Sequence, residues 1–266
     1  MKIIVTIGLY LWNVIKSIAA VPWTLIIGLM RRLFLLTFHI LGGPFYFVIS
    51  MINGFKLLFN QPKKVLPWLG KGLLDILIWI GRITSKTLDV IVLGELLDLV
   101  FQIIKPNTRT LTPTEITEAK KVYGEALTYW QIRIDEYSLI AKLGALFVGS
   151  SNMGVTTFHT INFTRKINAQ PGSRDMEWLI HELAHVSQME HAGLQYIVEA
   201  LVAQYTGGYN YGGPGALPGK KLGDFNREQQ AEIAADYYDD VLYGHTPAGP
   251  FVHLINEFQD TKKLYY

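Results

Sequence analysis

The stretch Met176-Glu177-Trp178-Leu179-Ile180-His181-Glu182-Leu183-Ala184-His185-Val186-Ser187-Gln188 decides how this chain is read. Ser173 and Asp175 precede it as helix-opening residues, and the apolar residues that follow are compatible with a helix to about His191. On such a helix His181 and His185, four positions apart, project from one face a turn apart. That separation suits two nitrogen ligands on a single tetrahedral Zn2+ ion. Glu182, the next residue round, is expected beside the metal rather than on it, placed to take a proton from an activated water.

A zinc site needs a third protein ligand, and the sequence offers more than one. His191 lies ten residues after His181 and matches the metzincin spacing. On a continuous helix ten residues span about 15 Å, so the chain would have to turn sharply between them. Metzincins turn on glycine where this chain has Gln188, and no methionine follows Met189 to make their methionine turn. The second answer is Glu232, in Glu228-Gln229-Gln230-Ala231-Glu232-Ile233-Ala234-Ala235-Asp236. Its Glu-x-x-x-Asp spacing resembles that of gluzincins, which implies Glu232 as the ligand and Asp236 as the carboxylate that orients a histidine ligand. Glu228, one turn before Glu232 on the same face, is a further candidate.

The resemblance extends further. The residues 179–188, then Tyr209-Asn210-Tyr211-Gly212 and Phe225-Asn226-Arg227-Glu228-Gln229-Gln230, look like a family of bacterial zincin-like domains often found in secretion-linked or toxin-like polymorphic proteins. The likeness covers about residues 145–240 and implies a zincin fold and metal site without naming a substrate. Residues 1–105 are outside it. His245, His253 and the tyrosines Tyr205, Tyr209, Tyr211, Tyr237 and Tyr238 are candidate donors to a tetrahedral oxyanion, none singled out.

Working outward, the first half has a different character. The chain has 266 residues, half of them apolar and 17% charged, against about 25% charged in an ordinary soluble domain. Residues 1–105 hold eleven Lys/Arg against four Asp/Glu, while the remainder holds thirteen against eighteen. Residues 33–55 carry no formal charge, are flanked by Arg31-Arg32 and Lys56, and are long enough to cross a bilayer as a helix. Pro22, Arg31-Arg32, Gly42-Gly43-Pro44 and 60–64 are the expected breaks. From 71 to 105 charges recur at helical intervals, as in amphipathic surface helices. The basic, apolar start after Lys2 reads as an uncleaved anchor or interfacial helix. The competing reading is an all-helical bundle buried against partner subunits. Basic residues flank 33–55 on both sides, so orientation stays open. Cysteine is absent, which excludes disulfides, thiolate metal sites and thiol nucleophiles.

The expected organisation is therefore a hydrophobic, all-α, membrane-associated region over 1–108 and an α+β zincin-like domain, mostly helical with a small sheet, over 109–266. In the second region Thr112-Pro113-Thr114-Glu115 starts a helix to about Leu127. Strands are expected over 129–138, 145–148 and 155–163, and helices over 194–205 and from Asn226 to about Tyr243. The loop 207–224, with seven glycines and two prolines, separates those two helices. The expected function is that of a membrane-associated, zinc-dependent metallopeptidase of the gluzincin type in a bacterium, hydrolysing peptide bonds with metal-activated water. The alternatives are a catalytically silent accessory subunit of a larger membrane complex and a secreted, membrane-inserting effector. The expected partners are membrane lipid, a peptide or protein substrate and other membrane-complex subunits, with no nucleic acid.

Overall fold

A computed structural model describes residues 2–105, 107–244 and 246–260. Its first helix, α1 (Lys2–Asn60), runs unbroken for 59 residues, about 88 Å at 1.5 Å per residue. The breaks expected at Pro22, Arg31-Arg32 and Gly42-Gly43-Pro44 do not occur. Near Pro44 the helix is braced by a tryptophan far along the chain. The Trp79 indole lies where a Cβ on Gly43 would be, and its Nε1 donates to the His39 carbonyl at 2.7 Å. The break at residues 60–64 does form. A short 3-10 turn, Pro62–Lys64, sends the chain back along α1 as α2 (Val65–Val90). Gly54 receives Trp68 as Gly43 receives Trp79. The two pairs are eleven residues apart on each helix and run in opposite order, so α1 and α2 form an antiparallel hairpin.

Val92, in the left-handed region at φ 62°, turns the chain into α3 (Leu93–Ile104). Among the described residues one segment, Leu29–Asn60, is long and apolar enough to cross a membrane, and only 6% of its most apolar window is buried.

The second region holds β1 (Arg109–Thr110), α4 (Pro113–Tyr123), β2 (Arg133–Glu136), α5 (Leu139–Val148), β3 (Gly154–Thr157), β4 (Thr160–Phe163), α6 (Arg174–Ala192), α7 (Gln195–Thr206), α8 (Arg227–Asp236) and α9 (Gly249–Gln259). The result is a largely helical α+β fold with a small sheet. The sheet order is β1-β2-β4-β3, with β2 and β4 parallel and the two outer pairs antiparallel.

Local sequence explains several boundaries. Thr112 and Glu115 close a reciprocal capping box at the start of α4, at 3.2 and 2.7 Å. Ser173 caps α6 and Asn226 caps α8. Residues 145–148, expected as strand, are instead the last turn of α5, because a short apolar run is compatible with either state and here continues the helix begun at Leu139. The single strand expected over 155–163 is split by a two-residue turn, Phe158-His159, into the hairpin β3–β4. The helix expected to reach Tyr243 is α-helical to Asp236 and continues as π-helical turns.

The core lies between the sheet and α6. Ile132, Ile134, Ile161 and Phe163 of the sheet region meet Met176, Leu179, Ile180 and Leu183, with Tyr123 and Phe258 closing it from α4 and α9. Burying each such side chain contributes about 1.5–3 kcal/mol.

The two regions meet along a seam of polar contacts. Lys86 donates to the Ala192 carbonyl at the end of α6 (2.5 Å), and Asp89 accepts from Leu194 N (2.8 Å). Arg31 donates to the His191 carbonyl (3.2 Å), and Arg82 pairs with Glu199 (2.9 Å). At the β3–β4 turn Phe158 takes a left-handed φ of 55°, a conformation that costs a non-glycine residue about 1–3 kcal/mol. Packing offsets that cost: the ring sits among Met189, Leu194 and Tyr196 and faces Phe101 of α3 at 6.0 Å. His159 is held between Asp98 of α3 (2.7 Å) and Glu190 of α6 (3.0 Å). Burial alone would lower its pKa, but the two carboxylates prevail and push it up to about 10.

An unfolded histidine titrates near 6.5, so this imidazolium contributes its full stability below that pH and loses it as pH rises towards 10. His159→Gln should therefore cost much at pH 6 and far less at pH 10. Denaturant midpoints of both full-length proteins at the two pH values measure this, and a pH-independent gap would contradict an ionic clasp.

Candidate metal centre

Helix α6 presents His181 and His185 on one face, and α8 crosses it with Glu228 in its first turn. The Glu228 Oε2 atom lies 3.6 Å from His181 Nε2 and 3.4 Å from His185 Nε2. One ligand atom from each of the three residues falls within 4.8 Å of the others, and all three side chains are buried. Glu228 also benefits from the positive end of the α8 dipole. Burial would raise its pKa, yet hydrogen bonding with the two histidines drives it well below the usual carboxylate range. His181 shows the reciprocal effect: burial lowers it, but Glu228 and Glu232 together push it up to about 10.

The opposite ring nitrogens are held separately. His181 Nδ1 lies 3.3 Å from Glu232 Oε2, and His185 Nδ1 lies 3.0 Å from Gln188 Oε1. The orientation of Gln188 is dictated by its own partners. Gln230 spends its amide hydrogens on the Leu222 and Phe225 carbonyls, both at 2.9 Å, so its oxygen must accept. Gln188 Nε2 therefore donates to Gln230 Oε1 (3.0 Å) and to the Arg227 carbonyl (2.9 Å). That leaves Gln188 Oε1 to accept from His185 Nδ1–H. Gln188 thus holds a proton on His185 Nδ1 and Glu232 faces His181 Nδ1, so the two Nε2 atoms turned towards Glu228 are the ring nitrogens available to a metal.

Glu232 and Asp236 lie on the same helix, beyond Glu228. Glu232, more than a third exposed, stands outside the three-residue cluster on the far side of the His181 ring. Asp236 accepts from Tyr211 at 2.5 Å, and burial together with neighbouring carboxylates raises its pKa. The carboxylate grouped with the two histidines is thus Glu228, and the one at the outer nitrogen of His181 is Glu232, one helical turn later. His191 remains in the last turn of an unbroken α6, its Nδ1 2.6 Å from the Ser187 carbonyl, and does not join the cluster.

Glu182 is buried against β3. Its Oε2 accepts from Thr156 Oγ1 at 2.8 Å, and a Cβ on Gly154 would overlap its Oε1. The glycine is therefore required for the strand to come this close. β3 is an edge strand of the sheet, and Gly154–Thr157 line a cleft of about 970 Å³ together with Glu182, both histidines, Glu228 and Glu232. Two phenols flank the histidines. The Tyr196 ring is 5.6 Å from that of His185, and the Tyr209 ring is 5.8 Å from that of His181. Burial, then the nearby Glu228 and Glu182 charges, raise both, Tyr209 to about 12 and Tyr196 well above its ordinary value, so each keeps its proton.

Tyr196 and Thr156 had no sequence signal of their own. Gln188 stands in the sequence where metzincins have glycine and at the end of the stretch 179–188 that carries the family likeness. Of the other candidate donors, Tyr238 donates to Glu118 in the core (2.9 Å), Tyr211 serves Asp236, and His253 lies on an exposed contact with the Lys220 carbonyl. Tyr237 packs against Phe251. The Tyr205 side chain and His245 lie outside the described residues.

Among curated proteins, the type VI secretion system spike protein VgrG2b of Pseudomonas aeruginosa is similar to this chain, with 28% identity over 141 residues. The match covers 49% of this chain. It covers 13% of the spike protein, so the chain spans only a small part of the length of that relative. No protein-family profile matches the chain, and no solved structure does.

Glu228→Gln should weaken zinc binding by more than the ~10–100-fold typical of an outer-shell change, Glu232→Gln by about that amount, and Asp236→Asn hardly at all. Competition with a chromophoric chelator ranks the three. Unchanged affinity in Glu228→Gln would favour Glu232 as the third ligand.

Proposed function

We propose that this chain is a zinc-dependent, peptidase-type hydrolase of zincin-like character, held at a membrane by its apolar first hundred residues. The observation that carries this reading is the convergence of two Nε2 atoms on a buried carboxylate, with Glu182 beside them in a cleft bordered by an edge strand. The donor set of two imidazoles and one carboxylate fits zinc, since three protein ligands of this kind characterise catalytic zinc sites. Zinc bound by His181, His185 and Glu228 would supply Lewis-acid activation of a water molecule and of the scissile carbonyl.

The chain's own residues account for the rest. An extended peptide laid along the outer edge of β3 would gain main-chain hydrogen bonds from the strand and pass directly over Glu182. Thr156 fixes one carboxylate oxygen of Glu182, which leaves the carboxylate oriented to accept the water proton and pass it to the departing amine. Tyr196 and Tyr209, both held protonated and with their rings beside the histidines, would supply hydroxyl donors for charge developing on the carbonyl oxygen.

A second reading is favoured by the likeness to part of a secretion-system spike protein: the same hydrolase would be a bacterial secreted effector whose apolar half enters a target membrane.

The test is hydrolysis of an unfolded protein substrate by zinc-loaded full-length protein, read by mass spectrometry of new termini. Glu182→Gln should keep its zinc and lose about 10²–10⁴-fold in rate. Equal cleavage by both proteins, or cleavage by neither, would sink the hydrolase reading.

A further inference from the structure

We infer that the α1–α2 hairpin enters a lipid bilayer tip first, as a two-helix unit, so that both of its ends and the metal cleft stay on the side of entry. The inference rests on the membrane half of the function proposed above and does not depend on hydrolysis.

The hairpin is built as one object. Trp68 fills the notch at Gly54 and Trp79 the notch at Gly43, so the arms are pinned at two levels three helical turns apart. Beyond those notches the arms bury little. Phe45, Tyr46 and Phe55 on α1 and Leu66, Leu73 and Leu77 on α2 are all exposed. Zipped together by the tryptophans, the apolar surface of α1 and the exposed leucines of α2 form a contiguous apolar patch of a size that is rare in water.

Length and charge identify the occupant as a bilayer. From Gln61 at the turn to the Gly43–Trp79 pair is eighteen residues on either arm, about 27 Å of helix, against a hydrocarbon core of about 30 Å. The tip is polar and basic, with Asn60, Gln61, Lys63 and Lys64, and Lys56 lies within reach of it by extending its stem. At the other end the charges return: Arg82 pairs with Glu199, Arg32 with Glu95, and Arg31 and Lys86 donate to the last carbonyls of α6. Between the two ends α2 carries Lys71 and Asp75, opposite in sign and one turn apart; among the described residues α1 alone is apolar enough to span, so α2 enters held to it by the two tryptophans. A basic tip also suits the anionic headgroups it would meet. Since Arg31 and Lys86 hold the end of α6, the helix that carries His181 and His185 is fastened to the base of the inserted hairpin.

The chain has no cysteine, so single cysteines report position directly. An environment-sensitive fluorophore on Ile52→Cys, Leu73→Cys, Gln61→Cys or Thr84→Cys would be followed as full-length protein is added to phosphatidylcholine vesicles containing phosphatidylglycerol. The expected result is a severalfold rise in emission at 52 and 73 together. The label at 61 should be shielded from an external membrane-impermeant reductant until the vesicles are opened, with 84 reachable throughout. Gly54→Leu, which forces the Trp68 contact apart, should lose the shielding at 61 while zinc affinity is unchanged. Glu182→Gln should insert like the wild type. A label at 73 that stays aqueous while 52 enters would replace the hairpin with a single span. A reachable label at 61 would mean that the hairpin lies on the surface. Self-association without vesicle binding would assign the apolar arms to a second copy of the chain.

Discussion

A carboxylate buried between two imidazoles is the constraint on which the second half of this molecule depends. Glu228 is removed from water and must be compensated, and the α8 N-terminus, the Nε2 edges of His181 and His185, or a cation held with them, do so. That demand fixes the crossing of α8 over α6. It also requires the opposite ring nitrogens to be occupied, which Glu232 and Gln188 achieve. The Gln188–Gln230 chain extends the same control to the backbone carbonyls of Leu222 and Phe225, so the glycine-rich loop helps to set the tautomer of a histidine.

The first hundred residues are joined to this site at several points. Arg31 and Lys86 take the last carbonyls of the histidine-bearing helix, where positive charge is favoured. Asp98 grips the turn between β3 and β4 through His159, and that turn ends the strand that holds Glu182 in place. Forces on the apolar helices therefore reach both walls of the cleft through short, charge-assisted contacts rather than through a flexible linker.

Several of these features were legible before folding because they are local. A four-residue separation on a helix places His181 and His185 together whatever surrounds them. Thr112 with Glu115, and Asn226 with Gln229, cap their helices with donors and acceptors three residues away. The third member of the site was not legible to better than one helical turn. Glu228 and Glu232 lie on the same face of α8, and choosing between them depends on how far that helix slides along α6. The same limit applies to residues 145–148, where an apolar run suits helix and strand alike, and to Gly42-Gly43-Pro44, where a distant tryptophan fills the notch.

By itself, then, the sequence determined the histidine pair with its adjacent glutamate, the helix caps, the absence of thiol chemistry and the contrast between an apolar basic half and a polar acidic one. These follow from spacing and composition, which act over a turn or two of chain. Only the tertiary structure decided that Glu228 completes the cluster while Glu232 orients His181, that Thr156 and Gly154 seat Glu182, and that α1 and α2 close into a hairpin. Each of those depends on side chains far apart in sequence meeting within a few ångströms, and that distance is set by the packing of whole helices.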